Sequence, residues 1–237
     1  MKLLRVILAA GSSLVAFHHL HAVDSVTAAP RPAWEWVSGY YQNPRPDDLL
    51  PSVYALSRSG YFESVGQPAL AVGFFTTVFA QNPHRVSYWL AQAAGLPEQH
   101  RRILAAAAWK SGSATGARLL REMADNTDAG LRSEIRGLLA NGSEPVGNTP
   151  VLSASSMNLQ WGAFLASGDE RHIINLLAAL GSDRPGVVTS ARFALAQNAI
   201  AHPRVLEICR AQLDKQPASV RGELEAALNA AAVHPRS

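Results

Sequence analysis

The sequence lacks most of the residue patterns that carry catalytic or cofactor chemistry. Cys209 is its single cysteine, so no disulfide can form within the chain, and packing must supply its stability. It contains no Gly-x-Ser-x-Gly motif, no phosphate-binding glycine loop and no histidine pair spaced four residues apart for zinc. The sequence therefore predicts no catalytic residues, no cofactor and no metal site. Cys209 itself is expected to be a small buried apolar side chain.

Hydrophobic runs long enough to cross a bilayer are also missing near the start of the chain. The apolar run from Val6 to Phe17 is about 12 residues, whereas a membrane-spanning helix needs about 20. Basic residues precede it and small residues follow it, a pattern typical of a secretory signal peptide. We expect residues 1–22 to be this signal, with residue 28 as the alternative cleavage position, followed by a flexible segment at 23–33. The expected product is periplasmic or secreted, without stable membrane insertion.

A concentrated basic charge is absent as well. The formal net charge is +3, and cleavage after Ala22 removes Lys2 and Arg5 with no acidic residue, which leaves +1. The remaining arginines are spread along the chain, so they form no basic stripe. Since nucleic-acid binding depends on such a basic surface, we expect no nucleic-acid partner.

Apolar residues recur three and four positions apart almost throughout the chain, and alternating strand patterns are absent. This periodicity predicts an all-α fold. Proline or a capping residue precedes most segments and glycine follows them, which is typical of short helices. The stretch 141–156 is rich in Gly, Pro, Asn and Ser. We interpret it as a linker between one helical lobe at 34–140 and a second at 157–232 that packs on the first.

Equivalent helix starts recur at intervals near 40 residues. The markers are Pro44, Pro83, Thr127, Asp169 and Pro203, which are 39, 44, 42 and 34 residues apart. Such a period is typical of stacked helical hairpins. The sequence predicts antiparallel helical hairpins stacked as an α-solenoid-like superhelix, with a compact irregular helical bundle as the alternative.

One hairpin resembles a known repeat. The stretch "WGAFLASGDERHIINLLAAL", Trp161 to Leu180, has a glycine and an aromatic residue in its first helix, Gly-Asp at the turn, and apolar residues in its second helix. In these features it resembles a tetratricopeptide unit. The resemblance implies a helical-hairpin module for protein–protein interaction and brings no catalytic residues with it.

The same stretch places Asp169, Glu170 and His172 within four residues, a combination used in acid–base catalysis. Helix capping explains both carboxylates without a substrate. Asp169 is a suitable N-cap, and Glu170 is favourable in the first turn beside the positive end of the helix dipole. We therefore expect His172 to be solvated.

Two groups of aromatic residues are the candidate binding residues. The stretches "WEWVSGYYQNP" and "HRVSYWL" supply Trp34, Trp36, Tyr40, Tyr41, Arg85, Tyr88 and Trp89. Tyr, Trp and Arg dominate binding hot spots, although the same aromatic residues also seal the seams of helical stacks. We predict an exported helical-repeat binding or assembly protein that recognises a protein or peptide partner through this aromatic and arginine-lined face. The alternatives are an enzyme of an unrecognised helical class acting on cell-envelope material, and a purely structural exported protein.

Overall fold

The computed structural model describes residues 31–140 and 142–233, and within these ranges the chain forms helices and no strands. The predicted all-α fold is confirmed, and the packing fits a helical bundle or a solenoid. The predicted signal peptide lies outside the described residues, and so does 23–30 of the flexible segment. The helices are α1 (Arg31–Gly39), α2 (Leu49–Arg58), α3 (Gln67–Gln81), α4 (Val86–Gln92), α5 (Glu98–Lys110), α6 (Ala114–Asp125), α7 (Ala129–Ala140), α8 (Ala154–Ser167), α9 (Glu170–Ala178), α10 (Pro185–Ala201), α11 (Pro203–Gln212) and α12 (Ala218–Val233).

One structural unit occurs four times in the described part of the chain. In each unit a short helix is closed by a 3₁₀ turn, and a loop of two or three residues leads into a longer helix. The helix pairs are α2 with α3, α4 with α5, α9 with α10, and α11 with α12. Their closing turns are Tyr61–Glu63, Ala93–Gly95, Ala179–Gly181 and Leu213–Lys215.

The four units bury their first helix in the same way. Each has buried residues at positions i, i+3, i+4 and i+7, the spacing that places side chains on one helical face. The four sets are Leu49, Ser52, Val53 and Leu56; Val86, Trp89, Leu90 and Ala93; Ile173, Leu176, Leu177 and Leu180; and Val205, Ile208, Cys209 and Gln212. The four units therefore share one pattern of buried residues, although the interval between the second and third units is more than twice the predicted 40 residues.

The predicted helix starts agree with these units at three of the five markers. Pro83 opens a 3₁₀ turn into α4, Asp169 caps α9, and Pro203 is in the first turn of α11. The first unit enters α2 through a turn that begins at Pro46, two residues after the predicted marker. Thr127 does not mark a unit, because it lies in the turn between α6 and α7, a hairpin that lacks the buried pattern.

Helices α3 and α8 form the most extensive helix contact and bring their backbones together at two glycines. A Cβ atom at Gly73 would lie 2.0 Å from the carbonyl oxygen of Leu159, and one at Gly162 would lie 1.9 Å from that of Leu70. Only glycine fits at both positions. Because α3 precedes the predicted linker and α8 begins within it, this contact joins the two predicted lobes through one core.

The hairpin of α6 and α7 forms a smaller cluster of its own. Its buried side chains pack on the outer side of α5, around Trp109, and are separate from the main core. Gly116 permits this docking, because a Cβ atom there would lie 2.2 Å from the backbone nitrogen of Trp109.

Local hydrogen bonds identify the residues that cap α7 and α8. The backbone N–H of Leu131 donates to Asp128 Oδ1, so Asp128 and not Thr127 caps α7. Ser153 caps α8 in a reciprocal arrangement with Ser156. No helix among the described residues is both long enough and apolar enough to span a membrane.

Candidate functional site

Three of the predicted binding residues lie in the core. Trp36, Tyr40 and Trp89 are buried, and Phe74, Phe75 and Phe79 of α3 connect them in one cluster of ring contacts. The ring centroids of Trp36 and Phe74 are 5.1 Å apart, and those of Phe79 and Trp89 are 5.8 Å apart. These rings seal the seam between α1, α3 and α4.

Arg85 lies over the outer edge of this ring cluster. Its guanidinium pairs with Asp47, and its Cζ atom lies 6.0 Å from the Trp89 ring centroid. It therefore joins the turn at Pro46–Asp48 to the start of α4. Trp36 of α1 holds the residue before the same turn by donating its indole N–H to the carbonyl oxygen of Arg45 at 3.1 Å.

The remaining predicted residues do not form one surface. Tyr88 has 60% of its area exposed, and Trp34 has 38% exposed while contacting the Tyr61 ring. Tyr41 is half-buried against the rings of Phe164 and His202. Only Trp34 and Tyr88 therefore remain as well-exposed aromatic residues from the predicted face.

A cavity of about 340 Å³ lies where four segments converge. The end of α3 supplies Thr76, Thr77, Ala80 and Gln81, and the end of α5 supplies Lys110. The loop Ser143–Gly147 and the start of α9, with Arg171 and His172, complete the wall. Its volume lies at the lower end of the range for small-ligand sites.

Lys110 is the buried cation of this cavity. Only 8% of its area is exposed, and its ammonium group donates to the carbonyl oxygen of Glu144 at 2.7 Å. Burial lowers the pKa of Lys110, and the nearby charge of Glu144 opposes this effect. An ammonium has three N–H donors, so one hydrogen bond among the described residues leaves two that a ligand could use.

His172 is also buried, which contradicts the solvated position expected from the sequence. Gln160 fixes its tautomer: the Gln160 amide nitrogen donates to the carbonyl oxygens of Val146 at 2.8 Å and Thr149 at 2.7 Å. The Gln160 carbonyl oxygen must then accept from His172 Nδ1, 2.7 Å away. Burial lowers the pKa of His172, so the ring is neutral and carries its lone pair on Nε2.

The loop that lines the cavity is held by side chains from several helices. Besides Gln160 and Lys110, Asn175 donates to the carbonyl oxygen of Gly147 at 2.7 Å. Val146 is buried among the core residues. The segment predicted as a linker is thus fixed to α5, α8 and α9 along its described residues, and the cavity wall is preorganised.

Arg171 forms the cationic rim. It is exposed, and its Cδ atom lies 3.1 Å from where a Cβ atom of Gly147 would be. Its guanidinium forms no ion pair within the described residues. Asp169, the one carboxylate lining the cavity, accepts from the backbone N–H of Arg171 at 2.9 Å and so acts as the N-cap that the sequence predicts. With Lys110, the lining carries two cations and one anion.

A second polar cluster joins the first unit to α5. His100 is buried, with Nδ1 2.8 Å from the Ser57 hydroxyl and Nε2 2.5 Å from a carboxylate oxygen of Glu63. These residue types form hydrolytic triads. Ser57, however, lies in the last turn of α2, where the negative end of the helix dipole would destabilise an oxyanion. The cluster's role is therefore to hold α5 against α2 and its closing turn.

The sequence predicts neither the cavity with Lys110 and His172 nor the polar cluster around His100, although weak signals for the cavity are present. Lys110 is one of only three lysines in the sequence, whereas the other 18 of its 21 Lys and Arg residues are arginines. For His172, the sequence predicts a solvated position.

No match was found to a protein-family model, to a curated protein or to a solved structure.

Proposed function

We propose that this chain is a helical-repeat binding protein that takes part of a peptide or protein partner into the cavity between α3, α5 and α9. Recognition is by shape, charge and hydrogen bonding, without covalent chemistry. The observation that supports the proposal is the cavity itself, whose buried Lys110 and oriented His172 offer unused hydrogen-bonding atoms on a fixed wall.

The position of the cavity agrees with a role in partner binding. It lies next to the hairpin of α8 and α9, which includes the stretch from Trp161 to Leu180 that resembles a tetratricopeptide unit. The proposal therefore keeps a protein or peptide as the partner but places the contact at the cavity and not at the predicted aromatic face. Trp34 and Tyr88 are secondary contact residues at most, since the other predicted aromatic residues are buried or half-buried.

Export remains part of the proposal and rests on the signal-like pattern at 1–22. N-terminal sequencing of the protein recovered from outside the cytoplasm is expected to begin near residue 23 or 29. Recovery of the full-length chain from the cytosol alone would contradict export without affecting the cavity.

Site-specific photo-crosslinking tests partner binding. Ala80 lines the cavity at an exposed position of α3, so a photoreactive p-benzoylphenylalanine there is expected to crosslink a bound partner. Ala211, exposed on α11 and absent from the cavity lining, is the matched control. The proposal requires a polypeptide that is crosslinked from position 80 and not from 211, and that excess unlabelled protein displaces. Equal crosslinking from both positions would refute it.

A further inference from the structure

The unused hydrogen-bonding atoms of the cavity specify the chemistry of its ligand. We propose that the cavity binds a monocarboxylate that carries an N–H donor next to the carboxylate-bearing carbon, as at the free C-terminus of a peptide. This inference rests on the proposed function, because it names the part of the partner that enters the cavity.

The carboxylate follows from the two cations. Within the described residues, Lys110 makes one hydrogen bond, which leaves two of its N–H groups, and the Arg171 guanidinium at the rim has no ion-pair partner. Charge-assisted hydrogen bonds from such donors to a carboxylate are roughly twice as strong as neutral ones. Asp169 in the lining and Glu144, whose charge also acts on Lys110, offset these cations, so the surroundings of the cavity are close to neutral. Such surroundings suit a monoanion better than a dianion such as phosphate.

The neighbouring N–H donor follows from His172. Its Nδ1 hydrogen is committed to Gln160, and its Nε2 forms no hydrogen bond within the described residues. The lone pair on Nε2 needs a donor and would repel a second anionic oxygen. An amide N–H beside a carboxylate supplies that donor.

The same charges favour a peptide terminus over a free amino acid. The α-ammonium of a free amino acid would bring a positive charge between Lys110 and Arg171, whereas the acylated nitrogen of a peptide is neutral. The cavity is open to solvent, so the rest of a chain that ends there can extend out of it.

Small probes with and without each group test the inference. N-acetylalanine mimics a peptide C-terminus, and N-acetylalanine methylamide keeps its shape without the charge. Calorimetric titration of the protein is expected to give a dissociation constant on the order of 1 mM for N-acetylalanine, as is usual for so small a ligand. The methylamide is expected to bind at least about tenfold more weakly, because it cannot make a charge-assisted pair. Equal binding of the two probes, or no binding of N-acetylalanine, would overturn the inference.

Variants assign the binding to this cavity. Lys110→Met keeps the length of the buried side chain and removes its charge, so it is expected to fold and to lose N-acetylalanine at least about tenfold. Arg171→Met removes the rim cation from an exposed position and is expected to weaken N-acetylalanine binding, with Arg210→Met, exposed on α11 and absent from the cavity lining, as the control that binds normally. Unchanged affinity in both Lys110→Met and Arg171→Met would overturn the proposed site.

Free alanine and inorganic phosphate complete the set of probes. The inference expects both to bind more weakly than N-acetylalanine. Tighter binding of alanine would keep the carboxylate but reject the peptide terminus, and tighter binding of phosphate would reject the monocarboxylate. If position 80 crosslinks a partner but N-acetylalanine does not bind, the inference fails and the proposed function stands. If N-acetylalanine binds but no partner is crosslinked, the proposed function fails and a carboxylate site remains.

Discussion

Replacing Gly162 by alanine tests the backbone contact between α3 and α8. The added Cβ atom would lie 1.9 Å from the carbonyl oxygen of Leu70 and 2.7 Å from the backbone nitrogen of Phe74. Carbon and oxygen atoms normally approach to about 3.3 Å, so the helices would have to separate by about 1.4 Å. Both obstacles are backbone atoms, which cannot move aside as a flexible side chain can.

The size of the effect follows from two opposing terms. Overpacking a core costs about 1 to 3 kcal/mol, and a clash between two backbones belongs at the upper end of that range. The gain in helix propensity from glycine to alanine offsets about 1 kcal/mol. We expect Gly162→Ala to lower the free energy of unfolding by about 2 kcal/mol, and Gly73→Ala to behave alike, because its Cβ atom would lie 2.0 Å from Leu159 O.

Two glycines elsewhere supply controls with the identical chemical change. Gly137 in α7 and Gly222 in α12 are exposed, and a Cβ atom at either would meet nothing within 4 Å. Their alanine variants are expected to gain about 0.5 to 1 kcal/mol. Thermal unfolding followed by circular dichroism should then separate Gly162→Ala from both controls by about 5 to 12 °C, at about 2 to 4 °C per kcal/mol for a chain of this size. Melting of Gly162→Ala within about 2 °C of Gly222→Ala would refute the close contact.

Three further variants or conditions have defined outcomes. Gln160→Leu leaves two carbonyl oxygens and His172 Nδ1 without partners, at about 1 to 3 kcal/mol each, so urea unfolding should show a loss of about 3 kcal/mol or more; a loss below about 1 kcal/mol would contradict the network. Burial lowers the pKa of Lys110 from 10.5, so the folded protein is penalised while the lysine is charged. Lys110→Met should therefore have a higher free energy of unfolding than the parent at pH 7. This difference should shrink as the pH rises through the folded pKa towards 10.5, and a difference that grows with pH would contradict the lowered pKa. Burial raises the pKa of the Cys209 thiol to about 12, so a thiol reagent at pH 8 should label it only as fast as the chain unfolds, and rapid labelling of the folded protein would contradict its burial.

The fold was predictable where it depends on neighbours in sequence. Pro83, Asp169 and Pro203 open helices because their effects on backbone conformation and on free N–H groups act within one turn. The buried positions at i, i+3, i+4 and i+7 follow from the same local geometry. The start of α7 shows the limit of such arguments. The sequence places it at Thr127, but Asp128 is the cap, because adjacent capping residues compete for the same N–H groups.

The cavity was not predictable, because its wall comes from segments far apart in the chain. Helical periodicity places a residue on a face but does not say which face of another helix it meets. His172 was expected in solvent for this reason, and its burial depends on Gln160 of α8 facing the same space. The close contact of α3 and α8 left a clearer signal. Glycines inside the apolar stretches around Gly73 and Gly162 are unfavourable in helices, so their presence indicates a close approach.

The separate core of the α6 and α7 hairpin has a consequence for how the protein opens. Its buried residues form a small cluster on the outer side of α5 and contribute little to the main core. Segments with few buried apolar contacts open at a lower free-energy cost than the rest of a protein. Amide hydrogens of α6 and α7 should therefore exchange with solvent as one group, ahead of those in α3 and α8. Since Lys110 ends the helix on which the hairpin docks, such opening would reach the edge of the cavity while the central helices remain closed.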